Sequence, residues 1–320
     1  MVQLIHQLFA QAFDNPWLAQ HSDAAVLPAL QERLVLTCDA HVVSPLFFNG
    51  GDIGSLAVHG TINDLAMLGA RPLYLTASFI LEEGLPLRDL KRIADSMAAA
   101  ARAAGVAVVT GDTKVVEKGK GDGVFISTSG LGSVRAGIDL SASRVQPGDC
   151  ILLSGSIGEH GIAVLSQREH LDFDTPIASD SAALHALVAA MLDSGARLRV
   201  LRDPTRGGLA ATLNEIAQQA GVGMMLQEAA IPVQPGVEAA CEFLGLDPLN
   251  IANEGKLVAI CAWEDADQLL QAMREHPLGK HAAIIGKVVE DAHCFVQMTG
   301  KLGGRRVIDW LAGEQLPRIC

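Results

Sequence analysis

The sequence has 320 residues, a formal net charge of −12 and 49% hydrophobic residues, with aromatic residues at only 4%. Such an acidic chain does not offer the basic surface that binds nucleic acid or anionic membranes. No apolar run reaches the ~18 residues of a membrane span, and the N-terminal region lacks the pattern of a secretory signal. We therefore expect a cytoplasmic protein with an aliphatic core, as in α/β proteins.

Helices and strands alternate along the first half of the chain. The spacing of Leu4, Leu8 and Phe9 predicts a helix over 2–13. The further predicted elements are a strand over 33–43, a helix over 51–70 ended by Gly69, a strand over 72–81, a helix over 87–105, and strands over 106–116 and 123–134. This alternation with short connections is typical of an α/β domain.

A second α/β unit follows a turn at Pro147-Gly148-Asp149. Its predicted strands cover 150–155, 223–228, 257–262, 282–290 and 293–299, and its predicted helices cover 156–169, 181–192, 206–221, 237–246 and 264–276. We therefore predict an N-terminal domain over 1–144, a C-terminal α/β domain over 145–312 and a flexible tail over 313–320. The fold class is α/β, in the wider sense that includes α+β.

Cysteine usage separates one thiol from the rest. The six cysteines are Cys38, Cys150, Cys241, Cys261, Cys294 and Cys320. None forms a Cys-x-x-Cys pair, which argues against a tetrahedral zinc site, and a chain without a signal peptide is not expected to carry a disulfide framework. Five cysteines lie in or beside apolar stretches, as spare buried thiols do. Cys320 is the exception, because it is the last residue of the sequence Leu-Pro-Arg-Ile-Cys.

Three carboxylates interrupt apolar contexts. We place Asp39 at the end of the strand Leu-Val-Leu-Thr and Asp112 at the end of the strand Val-Ala-Val-Val-Thr-Gly. Asp64 falls on the same helical stripe as Ile53, Ala57 and Gly60, where a core residue belongs. Each alone fits a turn or a cap. Together they predict a Mg²⁺ site facing a nucleotide phosphate, since this ion favours carboxylates and water.

Two polar motifs precede predicted buried elements. Arg206 and Gly207, in Asp-Pro-Thr-Arg-Gly-Gly, lie directly before a helix whose N-terminal amides would favour an anion. Asn253 to Lys256, in Asn-Glu-Gly-Lys-Leu, stand before the strand Leu-Val-Ala-Ile-Cys-Ala. An ordinary loop and a polar turn remain the alternative interpretations. Neither a Walker motif nor a dinucleotide fingerprint occurs.

These motifs, in this order, resemble the ATP-dependent superfamily of aminoimidazole ribonucleotide synthetase, which includes selenophosphate synthetase and thiamin-monophosphate kinase. The resemblance rests on Asp39, Asn63-Asp64 before Gly69-Ala70, Thr-Gly-Asp-Thr-Lys-Val-Val, Asp-Pro-Thr-Arg-Gly-Gly and Asn-Glu-Gly-Lys-Leu. The terminal Pro-Arg-Ile-Cys is similar to one branch, the HypE family of carbamoyl dehydratases in [NiFe]-hydrogenase maturation. The stretches Pro-Leu-Phe-Phe-Asn-Gly-Gly-Asp-Ile-Gly and His-Pro-Leu-Gly-Lys-His-Ala-Ala-Ile-Ile-Gly extend the resemblance over essentially the whole chain.

The resemblance implies a two-domain fold in which the N-terminal, ATP-binding domain pairs across a homodimer and a larger C-terminal α/β domain follows. It also implies the activity: ATP-dependent dehydration of an S-carbamoyl group on Cys320 to a thiocyanate, which supplies cyanide for the hydrogenase iron. The implied partners are the carbamoyltransferase HypF and the iron-carrying HypC–HypD complex.

The resemblance also implies roles for individual residues. ATP and Mg²⁺ are the implied cofactors, and Asp39, Asp64 and Asp112 are the implied metal ligands. The implied catalytic residues are Cys320, Glu254 and Lys114, of which Glu254 and Lys114 handle the proton and polarise the amide. The other implied cofactor-binding residues are Asn63, Thr113, Arg206 and Gly207.

Two other functions fit parts of the pattern. A small-molecule ATP-dependent synthetase or kinase of the same superfamily would be active without Cys320. A carrier or scaffold that presents a thiol tail would bind partners without depending on ATP.

The sequence departs from the family in one respect. Family members usually begin with a glycine-rich segment of the type His-Gly-x-Gly-Gly, which folds over the nucleotide in the superfamily. The present sequence begins on the first predicted helix. We expect that an upstream extension of this type would tighten ATP binding.

Overall fold

The structure, a computed structural model, describes residues 8–20, 24–171, 176–310 and 319. Cys320 and residues 313–318 of the predicted tail lie outside the described residues, as does the first half of the first predicted helix. Within the described ranges, no helix is both long enough and apolar enough to cross a membrane. Two sheets organise the chain, which confirms the mixed α/β fold class.

The first sheet has four strands in the order β1-β6-β4-β5. The strands of the first half are β1 Arg33–His41, β2 Phe47–Phe48, β3 Gly51–Asp52, β4 Arg71–Glu82, β5 Ala107–Val116 and β6 Val124–Val134. β4 and β5 run parallel, and β1 and β4 both run antiparallel to β6. β2 and β3 form a small separate hairpin.

Among the described residues, helices cover one face of this sheet. The helices of the first half are α1 Ala10–Ala12, α2 Ile53–Met67 and α3 Leu87–Ala103, with a 3-10 turn at Leu18–Gln20. A capping box of Asp52 and Ser55 starts α2. After the helix ends, the chain changes direction at Gly69, whose φ is +71°. Along β1, Thr37, Asp39 and His41 face α2, whereas Leu34, Leu36 and Cys38 are exposed on the opposite side. We call this opposite side the outer face.

The second sheet has seven strands in the order β13-β12-β9-β11-β7-β10-β8. Its strands are β7 Cys150–Leu153, β8 Leu198–Arg202, β9 Gly223–Gln227, β10 Val258–Cys261, β11 Ala283–Val289, β12 Val296–Thr299 and β13 Arg305–Ile308. β9 and β12 run parallel, and the other neighbours run antiparallel.

Both faces of the second sheet are buried. The helices of this half are α4 Glu159–Arg168, α5 His185–Asp193, α6 Gly208–Ala220, α7 Pro235–Leu244 and α8 Ala266–Glu275, with 3-10 turns at Ala142–Arg144, Glu228–Ala230, Pro248–Asn250, Trp263–Asp265 and Pro277–Gly279. Ile151 and Leu153 of β7 share a core with α6, while Cys150 and Leu152 share another with α5 and α8. The second core also includes Met67 of α2, so it joins the two halves.

The predicted elements are largely confirmed, with corrections at the strand ends. Asp39 and Asp112 lie inside β1 and β5 and do not end them. The short strands β2, β3, β8 and β13 were not predicted. Cys38 is exposed, contrary to the expectation of a buried thiol, because alternation along β1 turns it to the outer face.

Gly208 at the start of α6 provides a test of close packing. Gly208 has a φ of +63°, and a Cβ there would lie 2.5 Å from the Leu249 carbonyl oxygen. Gly208→Ala should therefore lower the free energy of unfolding by about 3 kcal/mol, from backbone strain plus a steric clash. Gly221→Ala at the other end of α6 is the control, because its φ is +68° and no atom lies within 4 Å. Urea unfolding that shows equal losses for both variants would contradict this account.

Candidate active site

β1 and α2 bring two of the predicted carboxylates together. Asp64 on α2 accepts a hydrogen bond from the Thr37 hydroxyl of β1, with 2.7 Å between the oxygens. Asp39 pairs with the buried His41, whose Nε2 lies 3.2 Å from Oδ2. The close approach of α2 to Asp39 of β1 depends on Gly60, since a Cβ there would lie 3.1 Å from Asp39 Oδ2. The helical stripe predicted for Asp64 therefore faces a polar edge of β1.

The Asn-Glu-Gly-Lys motif adds a third carboxylate from the second half of the chain. The backbone amides of Glu254 and Gly255 donate to the two oxygens of Asp180, at 3.1 and 3.2 Å. Lys256 Nζ lies 3.5 Å from the same carboxylate. Gly255 permits this contact, because a Cβ there would lie 1.8 Å from the Asp180 carbonyl oxygen. Glu254 is 4% exposed, and its Oε1 is buried without a hydrogen-bond partner among the described residues.

Asn253 ties this motif to two other loops. Its Oδ1 accepts from the Gly158 amide at 2.7 Å, and its Nδ2 donates to the Pro204 carbonyl at 3.0 Å. The Asp-Pro-Thr-Arg-Gly-Gly loop is thereby held beside Glu254. This loop begins with Asp203, the residue that follows β8, so Asp203 also lies near Glu254.

Burial and mutual repulsion dominate the electrostatics of these acids. Burial, followed by the charge of Asp64, raises the pKa of Asp203 to about 7. Burial, followed by the charges of Asp203 and Asp180, raises the pKa of Glu254 well above its usual range. Burial also raises the pKa of Asp64, and the Thr37 hydrogen bond opposes that rise. We call Asp39, Asp64, Asp180, Asp203 and Glu254 the carboxylate cluster.

The cluster fits a divalent cation that arrives with a ligand. Like charges held close together and out of water are relieved by a cation, and Mg²⁺ prefers carboxylate oxygens. No set of three or more described His, Cys, Asp or Glu side chains forms a ready-made metal cage. Mg²⁺ suits such an arrangement, because it usually takes one or two carboxylates and completes its coordination with waters and substrate phosphates.

Asp112, Thr113 and Lys114 do not join the cluster within one chain. They lie on β5, at the opposite edge of the sheet from β1. Asp112 is in register with Ser78, Ser127 and Ala40 across the sheet, about 14 Å from β1 at the usual strand spacing. The same register turns Asp112 and Lys114 to the outer face, whereas Asp39 faces α2.

The remaining predicted cofactor residues lie near the cluster but differ in what they contact. Asn63 is 1% exposed and bonds only to backbone: it donates to the Ala182 and Glu254 carbonyls and accepts from the Leu184 amide. It therefore positions Glu254. Arg206 is exposed, and Gly207 caps α6 at φ +74°, so the free amides of this helix start adjoin the loop that carries Asp203.

Ile319, the residue before Cys320, lies at the junction of the two halves. Its backbone pairs with Val43, and its carbonyl oxygen lies 2.5 Å from His160 Nε2. His160 Nδ1 bonds Ser179, the neighbour of Asp180. Ile319 is therefore linked through His160 and Ser179 to the segment that carries Asp180 of the carboxylate cluster.

Sequence reasoning missed Asp180 and Asp203. Asp203 follows the strand Leu-Arg-Val-Leu-Arg and precedes a proline, which is the type of signal that singled out Asp39. Asp180 stands in the polar stretch Ser-Asp-Ser, where no periodicity distinguishes it. Its contacts with Glu254, Gly255 and Lys256 in the tertiary structure reveal its place.

Comparison with known proteins assigns the chain to a family. The model of the AIR synthase related protein N-terminal domain matches residues 21–134, and that of the C-terminal domain matches residues 146–299. The chain is 69% identical over 320 residues to the carbamoyl dehydratase HypE of Cupriavidus necator, covering 99% of this chain and 91% of that protein. The chain belongs to the HypE family.

Two solved structures of the HypE family match the fold closely. A crystal structure of HypE in complex with ATP has a TM-score of 0.96 at 50% identity, covering 99% of this chain and 96% of that chain. HypE in a HypE–HypF complex has a TM-score of 0.85 at 49% identity, covering 96% of this chain and 99% of that chain.

The pKa of Asp203 makes a testable contribution to stability. Its pKa is about 7 when folded and about 3.9 when unfolded, so the folded state binds more protons between these values. The free energy of unfolding should therefore fall as pH rises from about 4 to about 7. Asp203→Asn cannot ionise, so in the absence of nucleotide and Mg²⁺ it should melt several degrees above the wild type at pH 8.

The control for this experiment is Glu290→Gln, which removes an exposed carboxylate. Its melting temperature should follow that of the wild type from pH 4 to 8. A wild-type pH dependence that persists in Asp203→Asn would exclude repulsion at Asp203 as its source.

Proposed function

We propose that the chain is an ATP-dependent carbamoyl dehydratase that acts on its own C-terminal residue, Cys320. The observation that supports this proposal is the position of Ile319, the residue before Cys320, which contacts His160 beside the segment that carries Asp180. The C. necator relative is named a carbamoyl dehydratase, and a HypE of 50% identity was crystallised with ATP. The product, a thiocyanate on Cys320, would supply cyanide ligands for the iron of [NiFe]-hydrogenase.

The reaction converts Cys-S-C(=O)-NH₂ into Cys-S-C≡N. Oxide is a poor leaving group, so the carbonyl oxygen takes the γ-phosphoryl group of ATP, and one N–H proton leaves as the C=N bond forms. A base then removes the second N–H proton, the C–O bond breaks, and phosphate departs. The products are thiocyanate, ADP, phosphate and one proton.

Glu254 is the proposed base, because it is buried, bonds Asp180 through its backbone, and has one oxygen without a hydrogen-bond partner among the described residues. Burial and the charges of Asp203 and Asp180 raise its pKa, which favours its neutral form when no cation is bound. Asp39, Asp64 and the neighbouring acids would hold Mg²⁺, whose charge favours ionised carboxylates and offsets charge on the transferring phosphoryl group. The start of α6, with Arg206 and Gly207, would bind ATP phosphate.

A symmetric homodimer would complete the site. The outer face carries exposed apolar side chains, including Leu34 at 52% and Leu36 at 74%, and no described helix covers it. Closed two-fold pairs are the commonest oligomers. Pairing through this face would place Asp112 and Lys114 of one chain opposite the outer face of β1 in its partner, so we propose that the predicted site is shared between two chains.

The partners follow from the chemistry. A carbamoyltransferase, the proposed role of HypF, must load Cys320, and an iron carrier, proposed to be HypC–HypD, must accept cyanide. A HypE of 49% identity was crystallised with HypF. The cytoplasm, where thiols stay reduced, is the proposed compartment.

The thiol requirement separates the proposed activity from its alternatives. Incubation with ATP, carbamoyl phosphate and the carbamoyltransferase should add one carbamoyl group and then remove one water, measured by intact mass. Cys320→Ala should abolish both changes while ATP still binds, because the acceptor sulfur is lost. Cys294→Ala is the control. Modification of any other cysteine, or ATP turnover coupled to a free small molecule without Cys320, would refute the proposal.

The divided site predicts complementation between two inactive variants. Lys114→Ala and Glu254→Gln should each fail to dehydrate, because each removes a proposed catalytic group. Mixed under conditions that exchange subunits, they should recover about a quarter of wild-type activity, since half of the pairs are mixed and each mixed pair has one intact site. Asp64→Asn mixed with Glu254→Gln is the control and should stay inactive, because both residues belong to one chain's cluster. A monomer in sedimentation at micromolar concentration would contradict the dimer.

A further inference from the structure

Ile319 is held by its backbone and its side chain together. It is 7% exposed and packs in the core of the first half, together with Val43 and Phe48. Its backbone forms an antiparallel bridge with Val43. The carbonyl that His160 binds belongs to the peptide unit that joins Ile319 to Cys320, so this contact restrains the bond that leads to the reactive residue.

The hydrogen-bond partners of His160 determine its tautomer. The Ile319 carbonyl can only accept, so His160 Nε2 must carry the hydrogen and donate it. The Ser179 hydroxyl accepts from the Ser181 amide at 3.1 Å and can donate to His160 Nδ1 at 2.8 Å. Burial lowers the pKa of His160, which favours this neutral form.

The ring is mounted on fixed structure. His160 is the second residue of α4, whose N-cap, Gly158, donates its amide to Asn253. Phe48 packs edge-on against the imidazole, with 5.4 Å between the ring centroids. Elements from both halves of the chain therefore fix the position of the His160 Nε2–H group that donates to Ile319.

Three consecutive polar residues connect this contact to the carboxylate cluster. Ser179 bonds His160, Asp180 bonds the backbone of Glu254 and Gly255, and Ser181 bonds His59 of α2 at 2.9 Å. The segment 179–181 thus spans from the residue before Cys320 to the proposed base.

We propose that His160 is a positioning residue: its Nε2–H holds the Ile319–Cys320 peptide so that the carbamoylated thiol stays beside Glu254 during dehydration. Consecutive Cα atoms are about 3.8 Å apart, so a fixed Ile319 confines Cys320 to its immediate surroundings. Confinement of a reacting group near its base is a large source of rate. This inference rests on the proposed function for its kinetic consequence, but the contact can be tested without any turnover.

The first test measures access to the thiol. The full-length protein, without ATP or a carbamoyl donor, is treated with iodoacetamide, and alkylation of Cys320 is followed by peptide mass spectrometry with Cys294 as internal standard. His160→Phe keeps an aromatic ring but removes the donor, and it should alkylate Cys320 about ten-fold faster, the factor that one hydrogen bond typically contributes. His160→Gln restores an N–H donor and should react nearly as slowly as the wild type.

His59→Phe is the matched control. His59 is also largely buried and also bonds a serine of the segment 179–181, but it does not contact Ile319. It should leave Cys320 alkylation unchanged. Ser179→Ala is a milder change that removes the hydrogen bond to His160 Nδ1, and it should also accelerate alkylation of Cys320. This variant replaces His160→Phe in the test if His160→Phe does not fold. Equal alkylation rates in the wild type and in the His160→Phe or Ser179→Ala variant would overturn the inference, as would equal acceleration in His59→Phe.

The second test separates positioning from general damage. In single turnover with ATP, carbamoylated His160→Phe should lose water about ten-fold more slowly, whereas its carbamoylation by the transferase should be as fast as in the wild type or faster. Loss of both steps to the same degree would indicate a structural defect and count against the inference. A wild-type protein that is carbamoylated but never loses water would refute the proposed function alone, since the alkylation result does not depend on it.

Discussion

The structure depends on gathering five carboxylates into a cleft that is partly closed to water. The carboxylates of this cluster repel one another when they are ionised, and burial adds to the free-energy cost of ionisation. The cluster consists of Asp39, Asp64, Asp180, Asp203 and Glu254. Cores avoid such an arrangement unless a cation or a proton offsets it. Without a cation, the raised pKa values of Asp203 and Glu254 favour their protonated forms. A nucleotide that brings Mg²⁺ would replace them, so ligand binding and the ionisation of the proposed base are linked.

The packing of the two halves provides the force that keeps the cluster assembled. α2 is central, because its apolar residues fill the first core, its last turn enters the second core, and Asp64 lies between. Asn63, one residue away, fastens the loops that carry Ala182, Leu184 and Glu254. The same helix therefore contributes the Asp64 carboxylate to the site and the Asn63 hydrogen bonds that hold the loop of Glu254, another carboxylate, in place.

The position of Ile319 supports the proposal that the carboxylate cluster acts on a substrate from the same polypeptide. A reacting group that belongs to the chain does not have to be captured from solution, and its orientation can be set by ordinary secondary-structure contacts such as the bridge between Val43 and Ile319. In the proposed function, the reacting group must also meet a carbamoyl donor and an iron acceptor. Sulfur suits the same task, because a thiolate is a good nucleophile and its bond to a nitrile carbon can be cleaved.

The sequence by itself determined the alternation of helices and strands, the unusual charge on the stripe of α2, the importance of the Asn-Glu-Gly-Lys motif and the singular position of Cys320. These features follow from local periodicity and from residue types that are costly in their context. Tertiary structure alone decided which carboxylates meet. Asp112 resembled Asp39 in sequence, yet the strand order places them at opposite edges and on opposite faces of one sheet. Asp180, which carried no local signal, accepts hydrogen bonds from the backbone amides of Glu254 and Gly255, 74 and 75 positions away. Register, strand order and loop packing join residues that are distant along the chain, and no local pattern records those contacts.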